Sequence, residues 1–309
     1  MKMRMKNFIA RNVAWAFYYP FMISFSLLLS SSSPLVARAV EGEEPSSNEK
    51  DFIANHPQKM WPLVAFGQNI LPEGTCLSYL YVDDFWKSKG YFVDLDAALF
   101  YAVSDDFSVM LQVPVSPGYK IDQNKSSGLE DLILQFEYAY YKRNTPSWFE
   151  QATLVVSSTF PTGSAVKQPP TGSGALGVFL GGTYNRNYAK WYGFISPGVL
   201  FSTSHNGTKY GNVFLYQAGV GRTIGDIGKN WGLAGVAEVD GFYTGKDKIN
   251  AVLVPNSGNN VIYLTPSLRL YTKGFAFQVG MGVPFVQQIK AGQSRESYYL
   301  GGIISWIFN

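Results

Sequence analysis

The sequence predicts an all-β chain built as a single antiparallel transmembrane barrel of about twelve strands. Three observations carry the prediction. Apolar and polar residues alternate with a period of two, the runs are joined by connections that are short and long in turn, and only 15% of residues are charged while 16% are aromatic. Successive strand side chains point to opposite faces, so this alternation gives each strand one apolar and one mixed face. The charged share is well below the roughly 25% of soluble domains. A strand in hydrocarbon must pair every backbone group, which requires the sheet to close on itself. No run of eighteen apolar residues follows the N-terminal leader, which excludes a helical span there.

Residues 1–39 read as a cleaved signal peptide. Lys2, Arg4, Lys6 and Arg11 precede an apolar run from about Ala14 to Leu29, and Ala37-Arg38-Ala39 is a small-residue cleavage site. Cleavage removes five basic residues and no acid, taking the formal charge from +3 to −2, so the basic balance belongs to the leader and gives no reason to expect nucleic acid. The signal predicts export, and with the barrel pattern it predicts the bacterial outer membrane as the destination. Cys76 is the one cysteine, so no internal disulfide can form. Residues 40–72 form a separate zone. Glu41 to Asp51 is acidic and Ser/Pro-containing, which favours disorder, whereas Met60-Trp-Pro-Leu-Val-Ala-Phe66 fits a plug, an extra strand or an amphipathic periplasmic segment.

The barrel occupies 73–309. Strands are predicted at 75–86, 91–102, 107–115, 128–142, 149–160, 175–187, 191–202, 211–224, 231–243, 260–272, 275–285 and 297–308. Connections at 103–106, 143–148, 188–190, 225–230 and 273–274 are short. Those at 116–127, 161–174, 203–210, 244–259 and 286–296 are long and rich in Gly, Ser, Asn, Lys and Pro, with 87–90 unusually brief on that side. Short periplasmic turns and long external loops are the layout of outer-membrane barrels. Leu132, Leu134, Phe136, Tyr138 and Tyr140 share one face of their strand, and Asp131, Gln135 and Glu137 share the other. Tyr138, Tyr140, Trp191, Tyr271, Phe275 and Phe308 fall near the short-turn ends, with Phe160, Phe201, Phe285 and Tyr298 near the long-loop ends, as two interfacial girdles require.

By the same parity, Asp94, Asp96, Asp131, Gln135, Glu137, Glu238, Asp240 and Arg269 are the lumen candidates. They form either an acidic pore wall with Arg269 as a constriction charge, or a polar filling in which Arg269 pairs with carboxylates. Pro197 and Pro266 lie within strands and lack a ladder donor. Each marks either a gap through which an apolar ligand could leave sideways, or a kink that helps curvature.

No cofactor, metal or catalytic residue is expected. His56 and His205 are the only histidines, and the neighbours Ser204 and Asn206 of His205 do not imply triad geometry.

Several stretches resemble the outer-membrane transporter family associated with the meta-pathway of phenol degradation. They are Leu71-Pro-Glu-Gly-Thr75, Ser127-Gly-Leu-Glu-Asp-Leu132, Phe160-Pro-Thr-Gly163 and Ile195-Ser-Pro-Gly-Val199, within a span of about 70–309. Glu130 stands where the family has a second glycine, and Asn309 follows the terminal aromatic. The resemblance implies a closed barrel for passive uptake of small molecules, hydrophobic or aromatic ones among them. The alternatives are a plugged barrel whose loops contact partners, or an outer-membrane lipid hydrolase. Expected partners are outer-membrane lipids, the barrel-assembly machinery and a small-molecule solute.

Overall fold

The computed structural model describes residues 61–145 and 148–308; the signal peptide, the acidic stretch to residue 60, His56 and Asn309 lie outside the described residues. Seventeen strands follow in chain order. They are β1 (Cys76–Lys87), β2 (Gly90–Ser104), β3 (Phe107–Ile121), β4 (Asn124–Leu129), β5 (Leu132–Asn144), β6 (Trp148–Phe160), β7 (Gly177–Tyr188), β8 (Trp191–Ser202), β9 (Ser204–His205), β10 (Thr208–Lys209), β11 (Val213–Ile227), β12 (Trp231–Thr244), β13 (Lys248–Ile249), β14 (Val252–Leu253), β15 (Asn259–Tyr271), β16 (Phe275–Gln288) and β17 (Glu296–Phe308).

β4 and β5 both lie against β3 and act as one interrupted strand, so the large sheet is a ring of twelve antiparallel strands. Closure is complete. The first and last strands pair from Cys76↔Phe308 to Lys87↔Glu296, with a single irregularity at Trp86/Lys87. The closure leaves the first and last strands of the ring without an open edge.

The faces are inverted relative to a soluble protein. Leu99, Leu111, Leu180, Val220, Leu264, Leu268 and Val279 are exposed, whereas Ser108, Glu137, Thr153, Ser196, Gln217, Glu238 and Arg269 are buried. Tyr138, Tyr140, Trp191, Phe275 and Phe308 stand exposed at one end and Phe160, Phe201, Phe285 and Tyr298 at the other. Tyr271 departs from the girdle expectation. It sits on the inner face of β15, fully buried with Tyr192, Phe194 and Ala276.

Three expected loops carry strands. β3 runs on to Ile121 and turns at Asp122 (φ 52°) into β4, so most of 116–127 is a strand extension. The strand expected over 128–142 is broken at Glu130–Asp131, between β4 and β5. In the long connections that flank the β11–β12 hairpin, β9–β10 and β13–β14 join in a four-stranded sheet of order β14-β13-β10-β9. Its Ile249, Val252 and Leu253 are exposed, so the apolar centre of the 244–259 segment is on the surface. Asp247 ties this structure together, accepting from Gly211 N–H at 3.0 Å while its own N–H donates to Ser257 Oγ at 2.9 Å. Burial pushes the Asp247 carboxyl up to about 6, and pushes the nearby Tyr210 hydroxyl up to about 12 with help from Asp247 and Asp131.

Candidate functional site

Trp61 to Leu71 lies inside the ring with no strand assignment, strung between two carboxylates. Successive N–H groups of Leu63, Val64 and Ala65 donate to the Glu238 carboxylate at 2.5, 3.2 and 3.3 Å. Consecutive amides converging on an anion form a concave nest. Gly67 (φ 77°) and Gln68 (φ 73°) then reverse the backbone. This left-handed turn aims the N–H groups of Gln68 and Asn69 at Glu137, and Asn69 Nδ2 donates to the second oxygen at 3.3 Å. Glu137 on β5 and Glu238 on β12 are five strands apart around the ring in one direction and seven in the other. The segment therefore spans the lumen between nearly opposite walls. The converging amides satisfy the oxygens of two buried carboxyl groups, which would be costly to bury without partners.

Apolar side chains of the segment fit sockets made by paired glycines. Gly280 and Gly301 are cross-strand partners, and a Cβ on either would lie 2.7 or 3.2 Å from Leu63 Cδ2. Gly181 and Gly198 are likewise partners, and a Cβ on them would lie 2.7 or 3.0 Å from the Phe66 ring. Phe66 also meets Phe179 edge-on at 4.7 Å. Tyr192 Oη donates to Gln68 Oε1, Ser108 Oγ to Asn69 O at 3.2 Å, and Gln278 Nε2 to Trp61 O at 3.2 Å.

Arg269 is fully buried below this segment, donating to Gln278 Oε1 at 2.9 Å and lying 5.4 Å from the Trp61 ring centre. Asp240 accepts from Thr265 Oγ1 at 2.7 Å and Gln217 Nε2 at 3.2 Å, with Tyr299 Oη 2.6 Å from Thr265. Glu137, Glu238 and Arg269 are thus brought together by the inserted segment, and Asp240 belongs to a neighbouring network. Asp94, Asp96, Asp131 and Gln135 are instead grouped around a cavity of about 370 Å³ on the other side of Phe66. Asp131 has a fixed task there: it accepts from Gly163 N–H at 2.9 Å and from the N–H and Oγ of Ser173 at 2.7 Å each, drawing the 161–176 connection over the cavity.

The sequence reading missed Asp83, Glu130, Gln217 and Tyr299 as interior polar groups. Parity could have found Gln217. Glu130 escaped because it sits at the β4–β5 break, where parity is lost. His205 is exposed in its connection, 2.9 Å from Asn206 Nδ2.

The two prolines leave the ladder's register unchanged. Pro197 pairs with Tyr216 of β11, while the β7–β8 ladder skips two pairs and resumes in register at Tyr184↔Ile195. Pro266 pairs with Ala237 of β12, while β15–β16 skips from Leu264↔Val283 to Ser267↔Gly280, again in register. Each proline thus removes local hydrogen bonds on one side without parting the strands.

Comparison with solved structures places this geometry among known folds. An outer membrane channel from Pseudomonas putida F1 matches with a TM-score of 0.64 at 13% identity, over 79% of this chain and 99% of that one. The fold is that of outer-membrane barrels. A monoaromatic hydrocarbon channel, TodX, matches with a TM-score of 0.34 at 11% identity over 77% of this chain and 91% of that one. LpxR from Salmonella typhimurium matches with a TM-score of 0.42 at 11% identity over 75% of this chain and all of that one. These two likenesses are too distant to carry functional weight. No protein-family model and no curated protein sequence matches the chain.

Proposed function

We propose that the chain is an outer-membrane channel for passive entry of small molecules, hydrophobic and aromatic ones among them, with Trp61–Leu71 as the element that closes it. On this reading it is exported by its signal peptide, inserted by the barrel-assembly machinery and surrounded by outer-membrane lipid. One observation carries the reading. The ring closes entirely through its own strand ladders, whereas the lumen is closed by a separate segment that contributes no strand. That segment is held by two carboxylates and two glycine sockets, all non-covalent. Such a closure can be withdrawn while the barrel stays intact, which a lumen filled by its own wall residues cannot do. The likeness to an outer membrane channel, over 99% of that chain and 79% of this one, supports the same reading.

Planar-bilayer recording tests it. The full chain is expected to pass little current, and a chain lacking residues 61–71, or carrying Glu137→Gln with Glu238→Gln, is expected to give sustained open-channel current. A segment-deleted barrel that folds in detergent yet stays silent would favour a structural barrel instead.

A further inference from the structure

The cavity of about 370 Å³ has two chemically opposed walls. On one side stand Asp94 and Asp96 of β2 and Glu130 at the β4–β5 break. On the other stand Phe179, Leu200 and Phe242, contributed by β7, β8 and β12, and Phe66 of the inserted segment. No basic side chain is among the described residues that line it. The volume falls within the roughly 300–1,000 Å³ of small-molecule pockets.

A second observation points to a ligand independently of the acids. Gln135 is 8% exposed and lines the cavity, and its side-chain amide makes no hydrogen bond to any described residue. Ser157, its direct cross-strand partner, is 6% exposed, lines the same cavity and is equally without a side-chain partner. Polar atoms that face a cavity without a protein partner are available to a ligand or to water. Both groups lie on the inner faces of β5 and β6, alongside the carboxylate wall.

We infer that this cavity is a binding site for small amphipathic cations, an ammonium group carried on an aromatic or apolar body. Asp94 and Asp96 are two residues apart on one strand, so their side chains share a face about 7 Å apart. An ammonium has three donors and no acceptor, which suits two carboxylates and the Gln135 carbonyl oxygen together. The attached ring would lie against Phe179 and Phe242. A wall of one charge sign within a low-dielectric ring concentrates counter-ions and disfavours anions. Asp131 takes no part, because its oxygens hold the 161–176 connection. The inference rests on the channel reading in that it names the solute class such a channel would admit, yet it concerns binding alone.

Calorimetric titration of the full chain folded in detergent, against empty micelles, tests it. The probes are 2-phenylethylamine, 2-phenylethanol and phenylacetate, near neutral pH, which share a ring and differ in the charge of the polar end. The amine is expected to bind about tenfold tighter than the alcohol, with phenylacetate weakest. Asp94→Asn with Asp96→Asn is expected to remove that tenfold advantage and leave the alcohol unchanged. Equal affinity for amine and alcohol, no heat with the amine, or a folded double variant that keeps the preference would each overturn the inference. The three-probe comparison needs no variant, so a misfolded one leaves the test intact. Current is not part of the readout. A chain that binds the amine but never conducts refutes only the channel reading, and a conducting chain indifferent to ligand charge refutes only this one.

Discussion

Leu63 and Gly301 meet where a Cβ on the glycine would touch only side-chain atoms, Leu63 Cδ2 at 3.2 Å and Asp83 Oδ1 at 3.3 Å among the nearest. Gly301→Val should therefore spare the ring ladders and push on Leu63 of the inserted segment and on the Asp83 side chain. Overpacking of this kind costs about 1–3 kcal/mol, which multiplies the displaced population about 5- to 150-fold. Maleimide labelling of a cysteine at Val64, in a Cys76→Ser background, is expected to accelerate by that factor. Adding Leu63→Ala should return it towards the starting rate, because the shortened side chain vacates the socket. An unchanged rate in Gly301→Val would mean the sockets do not position the segment. Reading the lumen from the sequence reached Glu137 and Glu238 but not their task. Parity shows which way a side chain points and says nothing of what it meets, and the amides that meet Glu137 and Glu238 lie 69 and 175 residues away in the chain.

At the level of elements, the strands legible in the sequence were those with one apolar face. Strands β15 and β16 show strict alternation, and the structure places them close to their expected ends, whereas β5 begins four residues after its expected start. The extension of β3 into β4 was not legible, because Lys120, Asp122, Asn124 and Lys125 are polar on both faces and leave no period to detect. The small sheet of β9, β10, β13 and β14 was hidden for another reason: its pairing joins two separate connections. Asp247 makes that sheet responsive to pH. Its carboxyl is raised from the usual 3.8 to about 6 by burial. The folded form thus holds its proton more tightly than the unfolded form, so the docked connections are most stable at acid pH. That contribution is lost as pH rises through about 6. A spin label at Asn250 is expected to become more mobile across that interval by electron paramagnetic resonance. Asp247→Asn, which mimics the protonated state and still accepts from Gly211, should hold the label at its acid-side mobility throughout. A variant that keeps the pH step would show that another group drives it.

For the whole molecule, the deciding question is which solvent the outer face meets. Leu264 is 49% exposed near the middle of β15, whereas its chain neighbour Thr265 is fully buried inside. In water an arginine at Leu264 would be welcome, because the residue is exposed and no packing is lost. In a bilayer the same side chain would face hydrocarbon near mid-depth, at a cost of about 2–4 kcal/mol. The two solvents therefore predict opposite results for one substitution. Urea titration of folding into phospholipid vesicles should show Leu264→Arg destabilised by that amount, while an arginine at Phe308, exposed at the end of β17, should cost about 0–1 kcal/mol. The depth dependence is the decisive part. A soluble sheet has no reason to penalise the middle of an exposed strand more than its end, so equal costs at Leu264 and Phe308 would remove the bilayer from the account and the closed ring would need another cause.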